Sequence, residues 1–137
     1  MAVVKSKRKE GELTVVTKAR ELAVYTARIC NNEKNFPKRH RWLLNNYIVG
    51  SALQIHRNIR KANSIFVKTE SDLDTRRQFQ NIALAEIDGL LGDIDIAYEL
   101  FHIDSSRMKH WVGLIYDVQN LLRNWRKKDI ERYKNLG

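Results

Sequence analysis

Between residues 108 and 125 the apolar side chains Met108, Trp111, Ile115, Val118, Leu122 and Trp125 recur at alternating intervals of three and four. That rhythm follows the 3.6-residue turn of an α-helix and gives the helix one apolar side. A strand, with its period of two, would scatter the same residues over both faces. The rhythm returns at Ala83, Ile87, Leu90, Ile94, Ala97 and Phe101, and in looser form at Leu44, Ile48, Ala52, Ile55 and Ile59. A further segment, from about Leu13 to Cys30, sets Val15, Leu22 and Ile29 seven apart with Ala23, Ala27 and Cys30 beside them. One proline and six glycines in 137 residues leave few interruptions, so the chain is expected to be all-α.

The boundaries carry their own signals. Asn31, Asn32 and Asn35 supply turn chemistry after helix 1, and Pro37 suits the first turn of helix 2, where its missing N–H costs nothing. "KANS" at 61–64 closes helix 2. Ser71, with Asp72 and Asp74, is the capping candidate for helix 3, and Asp104, Ser105 and Ser106 cap helix 4. Short connections between four amphipathic helices predict an up-down-up-down four-helix bundle over residues 12–134. A flexible basic tail at 1–11 precedes it and a C-terminal end at 135–137 follows. Helices 1, 3 and 4 carry second apolar lines, Val15, Leu22 and Ile29; Leu84, Leu91 and Tyr98; Leu114 and Leu121. Such wide faces serve a core or a subunit contact, and the sequence favours the core.

Twenty-five Lys and Arg against sixteen Asp and Glu give a net charge of +9, which favours an anionic partner such as RNA, DNA or a phospholipid surface. In the predicted topology one end gathers the start of helix 1, the helix 2–3 connection and the end of helix 4. Eighteen bases and eight acids fall there, a balance of +10, against −1 for the rest. A phosphate backbone suits such an end, since each neutralised phosphate releases condensed counterions. The candidate nucleic-acid-binding residues are Arg57, Arg60 and Lys61 on helix 2, Arg76 and Arg77 on helix 3, and Arg123, Arg126, Lys127, Lys128 and Arg132 on helix 4. Those near helix C-termini also complement the macrodipole. Trp125 lies among these bases, but its place in the apolar stripe assigns it to the core.

Catalytic signatures are sparse in the sequence. Glu99 and His102 in "ELFH" have the i, i+3 spacing of di-iron bundles, but no second such motif exists, and a surface pair is the better reading. The acidic stretch Asp88, Asp93, Asp95 and Glu99 reads as a solvated or ion-pairing face. Cys30 is expected to be a small buried hydrophobe near a helix C-terminus. With no Gly-rich phosphate loop, GxSxG, HExxH or CxxC, neither an enzyme nor a bound metal or cofactor is expected. The single cysteine and the lack of a long apolar run predict a cytoplasmic protein without a membrane span.

"FPKRHRW" at 36–42 crowds bases into a helix start, where each opposes the dipole by roughly 0.3 to 1 kcal/mol before screening. It falls at the end with the −1 balance. Phe36 and Trp42 are therefore read as packing residues. Arg39 and Arg41 are read as ion-pair partners of Asp95 or Glu99, within the chain or across a subunit contact.

Two segments together carry a family resemblance. "NFPKRHRWLLNNYIVGSAL" at 35–53 resembles the helix 2 signature, and "WVGLIYDVQNLLRNWRKK" at 111–128 the last helix, of the accessory variability determinant proteins of diversity-generating retroelements. These are similar in fold to proteins encoded by intervening sequences of bacterial 23S ribosomal RNA genes. The family's last helix usually has glycines before the tryptophan, where this chain has Leu121, Leu122, Arg123 and Asn124. The resemblance implies a homopentameric barrel of bundles that binds the element's reverse transcriptase and template RNA and supports error-prone cDNA synthesis without being the polymerase. An RNA-independent adaptor or structural oligomer of the intervening-sequence type is the alternative.

Overall fold

The structure, a computed structural model, describes residues 10–136, with side chains described at 14–39 and 43–136. Among the described residues there are four α-helices and no strand. They are α1 (Glu10–Asn31), α2 (Arg41–Ser64), α3 (Glu70–Leu100) and α4 (Ser105–Arg132), with a short 3-10 turn at Lys38–His40. The predicted tail at 1–11 lies outside the described residues for its first nine positions, while Glu10 and Gly11 already belong to α1.

Hydrogen bonds set the boundaries. The Asn32 backbone carbonyl accepts the N–H groups of Asn35 and Phe36 at 3.1 and 2.9 Å, which turns the chain after α1. Pro37 precedes the 3-10 turn instead of lying inside α2, so the tight turn, not the proline, leads into the regular helix. The N-cap of α3 is Thr69, not Ser71. Its hydroxyl accepts from the Asp72 N–H at 3.1 Å while the Asp72 carboxylate accepts from the Thr69 N–H at 3.1 Å. This reciprocal pair satisfies two otherwise open donors, which Ser71, two residues too late, would leave bare. Asp104 caps α4 as expected, accepting from the Arg107 N–H at 3.1 Å.

Consecutive helices pack side by side and α4 returns to α1, while among the described residues the diagonal pairs α1–α3 and α2–α4 bring no two Cα atoms within 8 Å. Three cross-links fix the antiparallel order. The Trp111 indole N–H donates to the Thr26 hydroxyl at 2.9 Å, joining late α1 to early α4. The Asn45 amide donates to the Cys30 carbonyl at 3.0 Å, joining late α1 to early α2. The Gln80 amide donates to the Asp129 carboxylate at 3.0 Å, joining early α3 to late α4. The molecule is an up-down-up-down four-helix bundle.

The stripes read from the sequence form the core. Ile48, Ala52, Ile55 and Ile59 of α2, Ala83, Ile87, Leu90 and Ala97 of α3, and Trp111, Ile115, Val118 and Leu122 of α4 are all fully buried. Burying each large aliphatic side chain contributes about 1.5 to 3 kcal/mol. Phe36 is a packing residue: it meets Phe101 and Trp111 edge-on, with ring centroids 5.4 and 6.2 Å away. Cys30 is buried as expected. The second apolar lines divide. Val15, Leu22, Ile29 and Leu114 are buried, Leu84, Leu91 and Leu121 are half-buried, and Tyr98 is 45% exposed.

Candidate nucleic-acid interface

The antiparallel order brings late α2, early α3 and late α4 to one end, as the charge sorting requires. Of the ten candidate residues, Arg57, Arg60, Lys61, Arg123, Lys127, Lys128 and Arg132 are exposed, and Arg77 and Arg126 are half-buried. Because α2 and α4 occupy diagonal corners, the bases form two banks. On α2, Arg57, Arg60 and Lys61 line a surface trough with Gln54, His56 and Ser64. On α4, Lys127, Lys128 and Arg132 line another with Asn124 and Glu131. Residues four apart on a helix rise about 6 Å, so each bank presents charge as a short ladder.

Several contacts hold these side chains in place. Arg126 donates to the Asn81 amide oxygen at 2.6 Å, tying the α4 bank to α3. Lys61 lies over the Phe79 ring at 5.5 Å, and Lys68, in the α2–α3 connection, over the Phe66 ring at 5.5 Å. Both leave their ammonium groups near solvent while the stems cover apolar surface.

Arg76 does not belong to this surface. It is 2% exposed, its Nε lies 3.4 Å from the Asp129 carboxylate, and its guanidinium stacks 5.1 Å from the Trp125 ring. Gln80 completes the cluster by donating to the same Asp129 oxygen. An arginine sealed between α3 and α4 cannot reach a phosphate without breaking an ion pair, so its role is internal. Its helical register betrays it: Arg76 falls in line with Leu73, Gln80, Ala83 and Ile87, the buried face of α3. Trp125, 5% exposed, is a core residue as predicted.

His56 was missed by the sequence reading, although its position one turn before Arg60 could have flagged it. It is half-buried, and its Nε2 has no hydrogen-bond partner among the described residues. Burial, then the Arg60 and Arg20 charges, hold its pKa below the ordinary 6.5. The positive potential at His56 thus spans α1 and α2, which extends the α2 bank toward Arg20.

The other end behaves differently. Arg39, Asp95 and Glu99 are exposed, and none joins an ion pair among the described residues. The expected pairing within the chain is therefore not made by Arg39, and the Arg41 and Trp42 side chains lie outside the described residues. Glu99 lies in the last turn of α3, but His102 falls beyond the helix, so the pair does not share a helical face. Among the described residues, no three His, Cys, Asp or Glu side chains converge as a metal site would require. No helix among them is long and apolar enough to cross a membrane.

No protein-family model matches the chain, and no curated protein or solved structure matches it.

Proposed function

We propose that this chain is a non-catalytic accessory subunit of a diversity-generating retroelement. In this reading it acts in the cytoplasm, binds the element's template RNA through its basic end and binds the reverse transcriptase beside it. The assembly is a homo-oligomer, a pentamer as the family resemblance implies. It supports mutagenic cDNA synthesis by holding RNA and polymerase together, with no bond made or broken by its own side chains.

The observation that carries this reading is the segregation of charge. In a chain of net charge +9, Arg57, Arg60 and Lys61 of late α2 and Arg123, Lys127 and Lys128 of late α4 are exposed toward one end of the helical bundle, which supports contact with phosphates. Macrodipole compensation accounts for bases in the last turns of α2 and α4. It does not account for Arg77, about two turns into α3, or for Arg57 and Arg123, more than a turn from their helix C-termini.

The test is Lys127→Glu with Lys128→Glu, both exposed on α4. RNA retention in a filter assay should fall at least tenfold while the helical circular dichroism is preserved, because exposed helix-end charges add little to stability. Unchanged retention would remove the α4 bank from the site. A chain that holds no RNA, yet captures a polymerase from the same genomic neighbourhood, would establish the RNA-independent adaptor instead.

A further inference from the structure

The side of α3 that faces away from the core is also apolar. Opposite its buried positions stand Ile82, Ala85, Gly89, Gly92, Ile96 and Leu100, at helical spacing and all exposed. Ile82, Ile96 and Leu100 are 46, 48 and 59% accessible. This face runs about 27 Å along the helix. A helix apolar on two opposite sides is suited to being covered on both. Glycine weakens an exposed helix relative to alanine, and a Cβ built at Gly89 or Gly92 meets nothing within 4 Å. The two glycines thus serve no contact inside the subunit, while they open the surface for close approach by another backbone.

A matching surface lies on α2. Leu43, Tyr47 and Leu53 are 38, 68 and 52% exposed, and Gly50 lies between them, again with nothing within 4 Å of a Cβ. The charges of the two helices are complementary. Residues 34–69 contain no Asp or Glu, whereas residues 78–106 contain no Lys or Arg but six acids. Among the described residues none of Glu86, Asp88, Asp93, Asp95 or Glu99 makes an ion pair. Within one subunit α2 and α3 pack through their buried faces, so their outer faces cannot meet each other.

We propose that the outer face of α3 is covered by the outer face of α2 from a second copy of this chain. Antiparallel alignment sets Leu43 against Leu100 and Tyr47 against Ile96, with Gly50 one residue out of line with Gly92. The apolar residues and the glycines thus fall in register to within one residue. The contact is heterologous, so every subunit offers one α2 face and one α3 face, and successive copies build a ring when the rotation closes. The proposal rests on the oligomeric part of the function proposed above and not on its RNA-binding part.

Sedimentation equilibrium of the full chain tests it, with RNA retention measured on the same samples. The unaltered chain should exceed the 16.1 kDa of a monomer, and Ile96→Arg should return it to that mass with circular dichroism unchanged. Oxidising a mixture of Gly50→Cys and Gly92→Cys chains should give a covalent dimer containing one of each, and neither variant alone should cross-link. An unaltered chain that is already monomeric overturns the proposal, even where RNA retention stands. An Ile96→Arg chain of undiminished mass, or cross-linking of Gly92→Cys with itself, overturns it too. Loss of RNA retention in a chain that still assembles would count against the RNA-binding reading alone.

Discussion

Asp129→Ala puts the buried cluster of Arg76, Gln80 and Trp125 to a quantitative test. Both charged side chains are 3% exposed, so the substitution leaves a guanidinium enclosed between α3 and α4 without its carboxylate. Breaking a buried pair in this way typically costs about 3 to 5 kcal/mol. The Gln80 amide also loses a charged acceptor, while the Trp125 ring still faces the cation 5.1 Å away and offsets part of the loss, by about 0.5 to 2 kcal/mol. The balance is about 3 kcal/mol, a large share of the 5 to 15 kcal/mol that holds a domain together. With a urea slope of about 2 kcal/mol/M, the unfolding midpoint should drop by about 1.5 M. The double change Arg76→Met with Asp129→Leu should recover most of that loss, because apolar groups of similar volume need no partner. A loss below about 1 kcal/mol for Asp129→Ala would refute the argument, since that is what an exposed pair is worth, and Arg76 would return to the list of surface bases.

Other expectations follow from the same geometry. Thr69→Ala should cost about 1 kcal/mol in urea unfolding by removing the hydroxyl that accepts from Asp72, whereas Ser71→Ala should change little. His56 has a folded pKa below its unfolded 6.5, so the unfolded chain binds more protons between the two values. Its contribution to stability is complete above about pH 6.5 and declines as the pH falls through the folded pKa. His56→Gln should flatten the stability profile in that window, and an unflattened profile would remove His56 as the cause. Phosphates placed beside Arg20 and Arg60 should raise the His56 pKa, which an NMR titration with and without RNA would detect. Trp111→Phe leaves the Thr26 hydroxyl without its donor and should cost about 1 to 3 kcal/mol.

The sequence carried the architecture because the core-facing periodicity is nearly unbroken. From Met108 to Trp125 each position of the three-four stripe turns inward, and local spacing alone locates that face. What it did not show depended on register between helices. Arg76 looks like its neighbour Arg77 in the sequence, and only the position of Asp129 across the α3–α4 contact separates a buried arginine from an exposed one. Thr69 was passed over because Ser71 and its two aspartates form a denser polar cluster, although the pair three apart, Thr69 and Asp72, is the one with capping geometry. The outer α3 face escaped notice because Ala85, Gly89 and Gly92 interrupt the run of large apolar residues, so the stripe emerges only once the buried side is fixed. The basic end was legible in outline, since topology follows from short connections, but its division into an α2 bank and an α4 bank required the diagonal placement of those helices.

The central claim is that the basic end of the bundle binds a phosphate backbone. Its most direct measurement is the salt dependence of RNA affinity, by fluorescence anisotropy with a labelled single strand, for the unaltered chain and for Arg57→Glu with Lys127→Glu. Contact with about five phosphates predicts a slope of log affinity on log salt near −3.5, since each contributes roughly −0.7 on single strands. The double substitution, one base from each bank, should make the slope shallower by more than one unit. An affinity that hardly changes with salt, or a slope untouched by both substitutions, would contradict the account.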